Sequence, residues 1–321
     1  MREILSKVLI TGGAGFIGSN LVEFLIPYAE KIVIIDDLSN SDLKNLSNIL
    51  NNEIEFIKLD ITDRQNLEKV FSAQEFSIVF HQAALTNIKE SFDKPIEYNN
   101  VNVNGSLNLL TLASQYGVKK IVYASSASVY GNNCKTPIEE SCTPNPISPY
   151  AVSKMTLEQY FQVFNDYNNL ETIGLRYFNV FGPKQNPNMH YSGVIPIFIK
   201  AALQGENLIV HGDGSQTRDF IYVDDVCQAN INAALVNKSD KNILNIASGK
   251  IISIKEIADI IIEKTKSNSK IMYEKSRIGD IKESLADISL AKEAINFETK
   301  IDFEEGIERS IVYYRKLYKN K

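Results

Sequence analysis

The stretch KVLITGGAGFIGSNLVEFLI, residues 7–26, constrains the fold more than any other. Its first five residues form a nearly continuous apolar run, the pattern of a strand covered on both faces. Glycines follow, and then apolar residues at helical spacing. A buried strand feeding a helix through a glycine turn opens a βαβ unit. The pattern repeats. KIVIID, IEFIKLD, FSIVFHQAA, KIVYASS and ETIGLRYFNVFG read as five further strands. Between them, VNVNGSLNLLTLASQYG reads as a helix ending at Gly117. Thr62 and Gln65 have capping-box spacing and predict another helix start. SPYAVSKMTLEQYFQVFNDY is a long helix with Ser148 as N-cap and Pro149 at the first helical position. Alternation of this kind predicts an α/β, doubly wound parallel sheet.

The pattern loosens after residue 180, where residues 183–216 are rich in Asn, Pro and Gly. RDFIYVDDVCQANINAAL and NILNIAS predict a strand–helix–strand return to the first domain. The expected division is therefore residues 1–179 and 217–247 for the sheet domain. Residues 180–216 and 248–321 form a smaller mixed α/β C-terminal lobe. A chain of 321 residues can bury a large core unaided.

The net charge of −5 gives nonspecific nucleic-acid binding no electrostatic support. The three cysteines, Cys134, Cys142 and Cys227, are odd in number and form no CxxC, so reduced thiols and a cytoplasmic location are expected. The three histidines show no metal-ligand spacing, and no metal is expected. The N-terminus lacks the apolar core of a signal peptide. No apolar run reaches the roughly 18 residues a membrane span requires.

Gly12, Gly15 and Gly18 form G-x-x-G-x-x-G between strand and helix. Glycines let the backbone turn sharply and approach a pyrophosphate, and the helix N-terminus supplies N–H donors. Asp36 ends the second strand, 24 residues on from Gly12, close to the spacing of a ribose-binding acid. Its carboxylate can accept from both ribose hydroxyls and would repel a 2′-phosphate, so NAD is expected rather than NADP. Asp60 and Ile61 are candidate adenine neighbours, with a helix cap as the other reading of Asp60.

Tyr150 and Lys154 are four apart and share one helix face. A free tyrosine titrates near ~10, too high for a base at neutral pH. An ammonium neighbour and the positive ring of NAD are expected to lower that value. Ser126 ends the fifth strand at the sheet edge where ligands bind in such folds. Its hydroxyl both donates and accepts, so it can bridge Tyr150 and a substrate hydroxyl.

TGGAGFIG, DDLSNS, LDITD, HQAALTNIKESFDKP, SSASVYG, YAVSK, LRYFNVFGPKQNP, GDGSQTRDFIYVDDV and RIGDIKESLADIS together resemble the extended short-chain dehydrogenase/reductase family, within it the nucleotide-sugar 4-epimerases. The resemblance spans essentially the whole chain. It implies a Rossmann-type fold and reversible oxidation at the sugar C4, with Tyr150 as base, Lys154 as its activator and Ser126 beside them. It implies NAD contacts from Gly12, Gly15, Phe16, Ile17, Gly18, Asp36, Asn40, Asp60, Ile61, Gln82, Ala83, Ala84, Asn102, Tyr150 and Lys154. It implies UDP-sugar contacts from Thr86, Ser126, Ala127, Ser128, Tyr150, Asn179, Val194, Val210, His211, Arg218, Arg277 and Ser284. The two arginines would pair the diphosphate, although either can also be read as a surface ion pair. The chain departs from the galactose-type members at Thr86, where many carry lysine. It departs at Ala124, where some carry serine.

Ser284 falls where members restricted to glucose and galactose carry a tyrosine. A small residue there leaves room for an N-acetyl group. The resemblance therefore implies interconversion of UDP-N-acetylglucosamine and UDP-N-acetylgalactosamine, with UDP-glucose and UDP-galactose as further substrates. A UDP-uronic acid 4-epimerase or decarboxylase is the alternative enzyme. A non-catalytic NAD sensor or scaffold is the alternative of another class. The family also implies a role in supplying polysaccharide precursors. It implies a homodimer built as a four-helix bundle from residues 102–116 and 150–167, through Leu109, Leu110, Leu157, Phe161 and Phe164.

Overall fold

The computed structural model describes residues 4–167, 170–187, 193–237, 241–276 and 282–319. Seven strands form the main sheet: β1 (Leu5–Thr11), β2 (Ala29–Asp36), β3 (Ile54–Lys58), β4 (Ile78–His81), β5 (Lys120–Ser126), β6 (Glu171–Tyr177) and, later in the chain, Ile243–Ile246. All neighbours in it are parallel. The order, read from one edge, is β3-β2-β1-β4-β5-β6 followed by the late strand. The chain reverses its direction of travel between β1 and β4, and a crevice opens there at the strands' C-terminal ends.

Both faces of this sheet are covered, which is why its strands read as unbroken apolar runs. Val8, Ile10, Ile32 and Ile34 face one core, and Leu9, Val33, Ile35 and Val79 face the other. The helices of the first domain are α1 (Phe16–Leu25), α2 (Arg64–Ala73), α3 (Ile88–Asp93), α4 (Pro95–Asn99), α5 (Ser106–Gln115) and α6 (Pro149–Tyr167). The cap of α2 lies one residue beyond the expected Thr62. Asp63 accepts from the Asn66 backbone and side-chain nitrogens, and a charged acceptor wins over a hydroxyl next to it. Ser148 caps α6 as expected, accepting from the Ala151 amide at 3.1 Å. The helix expected to begin near residue 102 instead passes through a π-helical turn, Asn100–Gly105, before α5.

The C-terminal lobe is built on a second sheet. Its strands are β7 (Asn179–Phe181), β9 (Thr217–Tyr222), β11 (Ile251–Ser253) and β13 (Glu283–Ser284), and β9 pairs all three others. Between them β8 (Leu208–His211) pairs β12 (Ile271–Glu274), and β10 is the late strand of the main sheet. The expected return at residue 217 is corrected by this pairing. β9 is taken up by β7, β11 and β13, so the return to the main sheet is made by α8 (Val223–Leu235) and β10 alone. Further helices are α7 (Val194–Gln204), α9 (Ile254–Thr265), α10 (Ser289–Ile295) and α11 (Phe303–Lys319).

Two further expectations are corrected. Cys134 and Cys142 are joined by a disulfide, because the loop after β5 folds back and brings their Cα atoms to 6.0 Å. Cys227 is free and fully buried. Leu109, Leu110, Leu157 and Phe161 pack inside the chain against the sheet, and Phe164 lies against the same core. The exposed apolar side chains of α6 are Val152, Tyr160, Val163 and Tyr167. Among the described residues no helix is long and apolar enough to cross a membrane.

Candidate active site

A cavity of about 360 Å³ opens at the C-terminal ends of β1, β2, β4 and β5. Gly12, Gly15, Phe16, Ile17 and Gly18 form one wall. Gly12 has φ +68°, and a Cβ on it would stand 2.6 Å from the Ala83 amide nitrogen. A Cβ on Gly18 would stand 2.1 Å from the Gly12 carbonyl oxygen, so this glycine lets α1 approach the turn. The open backbone at the start of α1 suits a pyrophosphate.

Asp36 is buried at the end of β2. Its carboxylate accepts from the Ala14 amide at 3.0 Å, the Leu38 amide at 2.9 Å and the Ser41 hydroxyl at 2.7 Å. It ties the glycine turn to the loop after β2 while still facing the cavity. Asn40, Asp60 and Ile61 complete that end. Asp60 lines the cavity and its carboxylate accepts from the Thr62 amide at 2.8 Å, but the cap of α2 is Asp63.

Gln82, Ala83, Ala84 and Thr86 form the opposite wall. Asn102 does not line the cavity. It is buried behind this wall, where its carboxamide accepts from the Leu85 amide at 2.8 Å and donates to the Leu85 carbonyl at 2.9 Å. His81 anchors the wall from below. Its Nδ1 lies 2.7 Å from the Thr11 hydroxyl and its Nε2 lies 2.7 Å from the Ser106 hydroxyl. Ser106 donates its proton to the Asn102 carbonyl, so it accepts from His81 Nε2–H, and Thr11 donates to Nδ1. Burial, with the Lys154 charge as a smaller cause, pushes His81 down to about 3 and keeps it neutral.

Ser126, Tyr150 and Lys154 converge on the same cavity. Tyr150 and Lys154 are nearly enclosed, at 7% and 3% exposure. Lys154 Nζ donates to the Ala124 carbonyl at 2.8 Å. Burial pushes this lysine down to about 8, and the Glu158 carboxylate works against that. Burial also raises the Tyr150 phenol above its usual value, and a hydrogen bond with Ser126 opposes the rise. The expected acidic phenol is thus not a property of the protein's own charges. Enclosure outweighs them, and the Lys154 ammonium is committed to a backbone carbonyl.

The chain matches the NAD dependent epimerase/dehydratase family over residues 8–247. It belongs to that family. It is 38% identical over 305 residues to a putative UDP-glucose 4-epimerase of Methanocaldococcus jannaschii, covering 95% of this chain and 97% of that one. Its fold matches the UDP-N-acetylglucosamine 4-epimerase of Methanobrevibacter ruminantium, solved in complex with UDP-N-acetylmuramic acid. The TM-score is 0.92 at 40% identity, covering 99% of this chain and 100% of that one. The Thermus thermophilus UDP-glucose 4-epimerase, solved with NAD, matches at TM-score 0.86 and 33% identity, covering 96% and 99%. The cofactor of this family member is NAD. The glycine turn, the buried Asp36 and the open start of α1 fit it.

Of the remaining expected residues, Asn179, Arg218 and Ser284 lie on the second sheet. Asn179 donates from Nδ2 to the Asp219 carbonyl at 2.9 Å. Arg218 and Ser284 are register partners of β9 and β13, so their side chains share a face. Ala127 and Ser128 follow Ser126 in a short turn, and the Ser128 hydroxyl donates to Ser126 at 2.9 Å. Val194 begins α7. Val210 is fully buried in the core and offers only backbone, while His211 lies 3.7 Å from the Glu274 carboxylate. Arg277 lies outside the described residues.

The cavity is also lined by Ser41, Tyr177, Phe178 and Gln185, which the sequence reading passed over. The last three sit in LRYFNVFGPKQNP, a motif already singled out for Asn179. Tyr177 donates and accepts in a cluster with Gln82 and Asn230 that closes the cavity floor.

Proposed function

We propose that this protein interconverts UDP-N-acetylglucosamine and UDP-N-acetylgalactosamine, and also UDP-glucose and UDP-galactose, by transient oxidation at the sugar C4. The observation that carries the reading is the convergence of Ser126, Tyr150 and Lys154 on the cavity shared by the glycine turn and Asp36. When bound, NAD would supply a hydride acceptor and donor for C4 and a positive charge beside the phenol.

Tyr150 takes the proton of the 4-hydroxyl and returns it in the second half of the cycle, so the reaction is a net isomerisation. Ser126 bridges the phenol and the sugar hydroxyl. Lys154, held by the Ala124 carbonyl, contributes its charge to the phenolate. Arg218 and Arg277 pair the diphosphate. Asn179 contacts the substrate where β7 meets β9. Gly12 to Gly18, Asp36 and the wall from Gln82 to Ala84 hold the cofactor, with Asn102 setting the position of that wall. A homodimer through the outer faces of α3, α4 and α6 is part of this reading. Phe92, Ile96, Tyr160 and Val163 supply exposed apolar surface there.

The test is proton NMR of the purified protein with UDP-N-acetylglucosamine in one tube and UDP-glucose in another, without added cofactor. The axial 4-hydroxyl product is expected in both, faster with the N-acetylated sugar. Absence of product in both tubes after NAD is supplied would overturn the reading in favour of a uronic-acid substrate or a cofactor sensor.

A further inference from the structure

Tyr150, Lys154 and Glu158 follow one another at four-residue spacing along one face of α6. The third member is a carboxylate in the core, 3% exposed. It is fully engaged there. Arg176 of β6, itself 4% exposed, grips it with two parallel bonds, Nε to Oε1 at 2.8 Å and Nη2 to Oε2 at 2.7 Å. The Ser125 hydroxyl donates to the same Oε1. Ser125 immediately precedes Ser126, and the Ala124 carbonyl before it receives Lys154. Three consecutive residues of β5 are therefore tied, directly or through Lys154, to the face that carries the reacting phenol.

We propose that Glu158 is a positioning residue for this reaction: clamped by Arg176 and Ser125, it keeps the buried Lys154 an ammonium and fixes the end of β5 that presents Ser126. The proposal rests on the epimerase reading above for its consequence on turnover. Its electrostatic part stands without that reading.

A lysine enclosed in the protein loses its proton readily unless a negative charge is close. Glu158, one helical turn on from Lys154, is the carboxylate whose charge opposes the effect of burial on that lysine. Among the described residues, the titratable groups on the elements packed against α6 carry no competing negative charge beside it. From β4, His81 is neutral. On its own helix Tyr150 is a neutral phenol, and so are Tyr123 of β5 and Tyr130 of the turn after it, all raised by burial. From α4, Tyr98 is likewise raised, and donates to Glu90 of α3, which pairs Lys94 at the surface. Arg176 is the remaining permanent charge, and its guanidinium is bound to the carboxylate oxygens of Glu158.

The experiment is a pH titration of protein carrying lysine labelled with carbon-13, the Lys154 signal being assigned by its loss in Lys154→Met. The wild-type midpoint is expected near 8. In Glu158→Gln it should fall by about one unit or more. Glu158→Asp, which keeps the charge, should stay near the wild type. If Glu158→Gln fails to fold because Arg176 is stranded, Glu158→Gln/Arg176→Gln removes both charges and should move the midpoint the same way, by less. A midpoint unmoved in the folded variants would overturn the proposal. Turnover provides the second readout, since its alkaline limb should move with the midpoint. Turnover lowered by one factor at every pH would make Glu158 merely structural. A moved midpoint in a protein whose wild type has no turnover would uphold the electrostatic role and sink the epimerase reading instead.

Discussion

Gly12 of the first turn and Ala83 after β4 are in such close contact that a single methyl on Gly12 would lie 2.6 Å from the Ala83 nitrogen. The clash is with backbone, which cannot rotate away, and the φ of +68° adds its own penalty for any residue with a Cβ. Gly12→Ala should cost about 1–3 kcal/mol of stability. It should also pry apart the two walls proposed to hold NAD and weaken cofactor binding at least about tenfold. Thermal unfolding and NAD content of the purified variant check this. A variant that keeps its full NAD complement would show that the contact is dispensable.

His81 makes acid unfolding steeper. Its folded pKa lies near 3, well below the unfolded value of about 6.5. Between those values the unfolded chain binds more protons than the folded one, so stability falls as pH falls through this window. The loss from this one group reaches on the order of 4 kcal/mol at pH 3. His81→Gln, measured by urea unfolding at a series of pH values, should show a shallower decline between pH 6.5 and 4. Parallel curves for the two proteins would contradict a neutral buried imidazole.

The proposed mechanism makes graded predictions for Tyr150 and Ser126. Tyr150→Phe removes the group proposed to move the proton and should lower turnover by about 10²–10⁴. Ser126→Ala removes one hydrogen bond to a charged group in the reacting state and should cost about tenfold to a hundredfold. Both variants should retain NAD, because neither side chain supports the glycine turn or Asp36. Cofactor content measured beside turnover separates chemistry from binding. Loss of NAD from Ser126→Ala would reassign that serine to the cofactor.

Much of this was legible in the chain, and the gaps have physical causes. The main sheet could be read because strands covered on both faces must be apolar throughout, and the glycine turn because only glycine permits the approach of Gly12 to Ala83. The same apolar signal misplaced β9, whose run resembles a central strand although its partners lie in the second sheet. The π-helical turn that sets Asn102 behind the wall leaves no trace in a 3.6-residue period. Pairings across elements are equally silent. Nothing in the spacing of Glu158 and Arg176, or of Cys134 and Cys142, shows that the fold brings them together. The sequence reading derives an acidic phenol from the i, i+4 lysine together with the positive ring of NAD. It does not anticipate that burial outweighs the charge of a lysine directed to Ala124.

Ser284 offers the sharpest test of substrate choice. It stands beside Arg218, the arginine proposed to pair the diphosphate, in the register of β13 and β9. Its backbone cannot retreat from a larger side chain. The Ile138 amide donates to the Leu285 carbonyl at 2.8 Å, and the Asp287 amide donates to the Ile138 carbonyl at 2.9 Å. The buried Asp219 carboxylate accepts from the Ala286 amide at 3.3 Å, and from Ser248 and Gly249 as well. A tyrosine at 284 must therefore project its ring into the space beside Arg218 rather than push the strand outward. If the substrate binds as proposed, that ring takes room an N-acetyl group would need and leaves a plain hydroxyl less affected. Ser284→Tyr should lower turnover of UDP-N-acetylglucosamine by about tenfold or more relative to UDP-glucose. Competition between the two sugars in one reaction, followed by NMR, measures the ratio directly. An unchanged ratio would mean that the gate lies elsewhere and that Ser284 only packs between β13 and its neighbours.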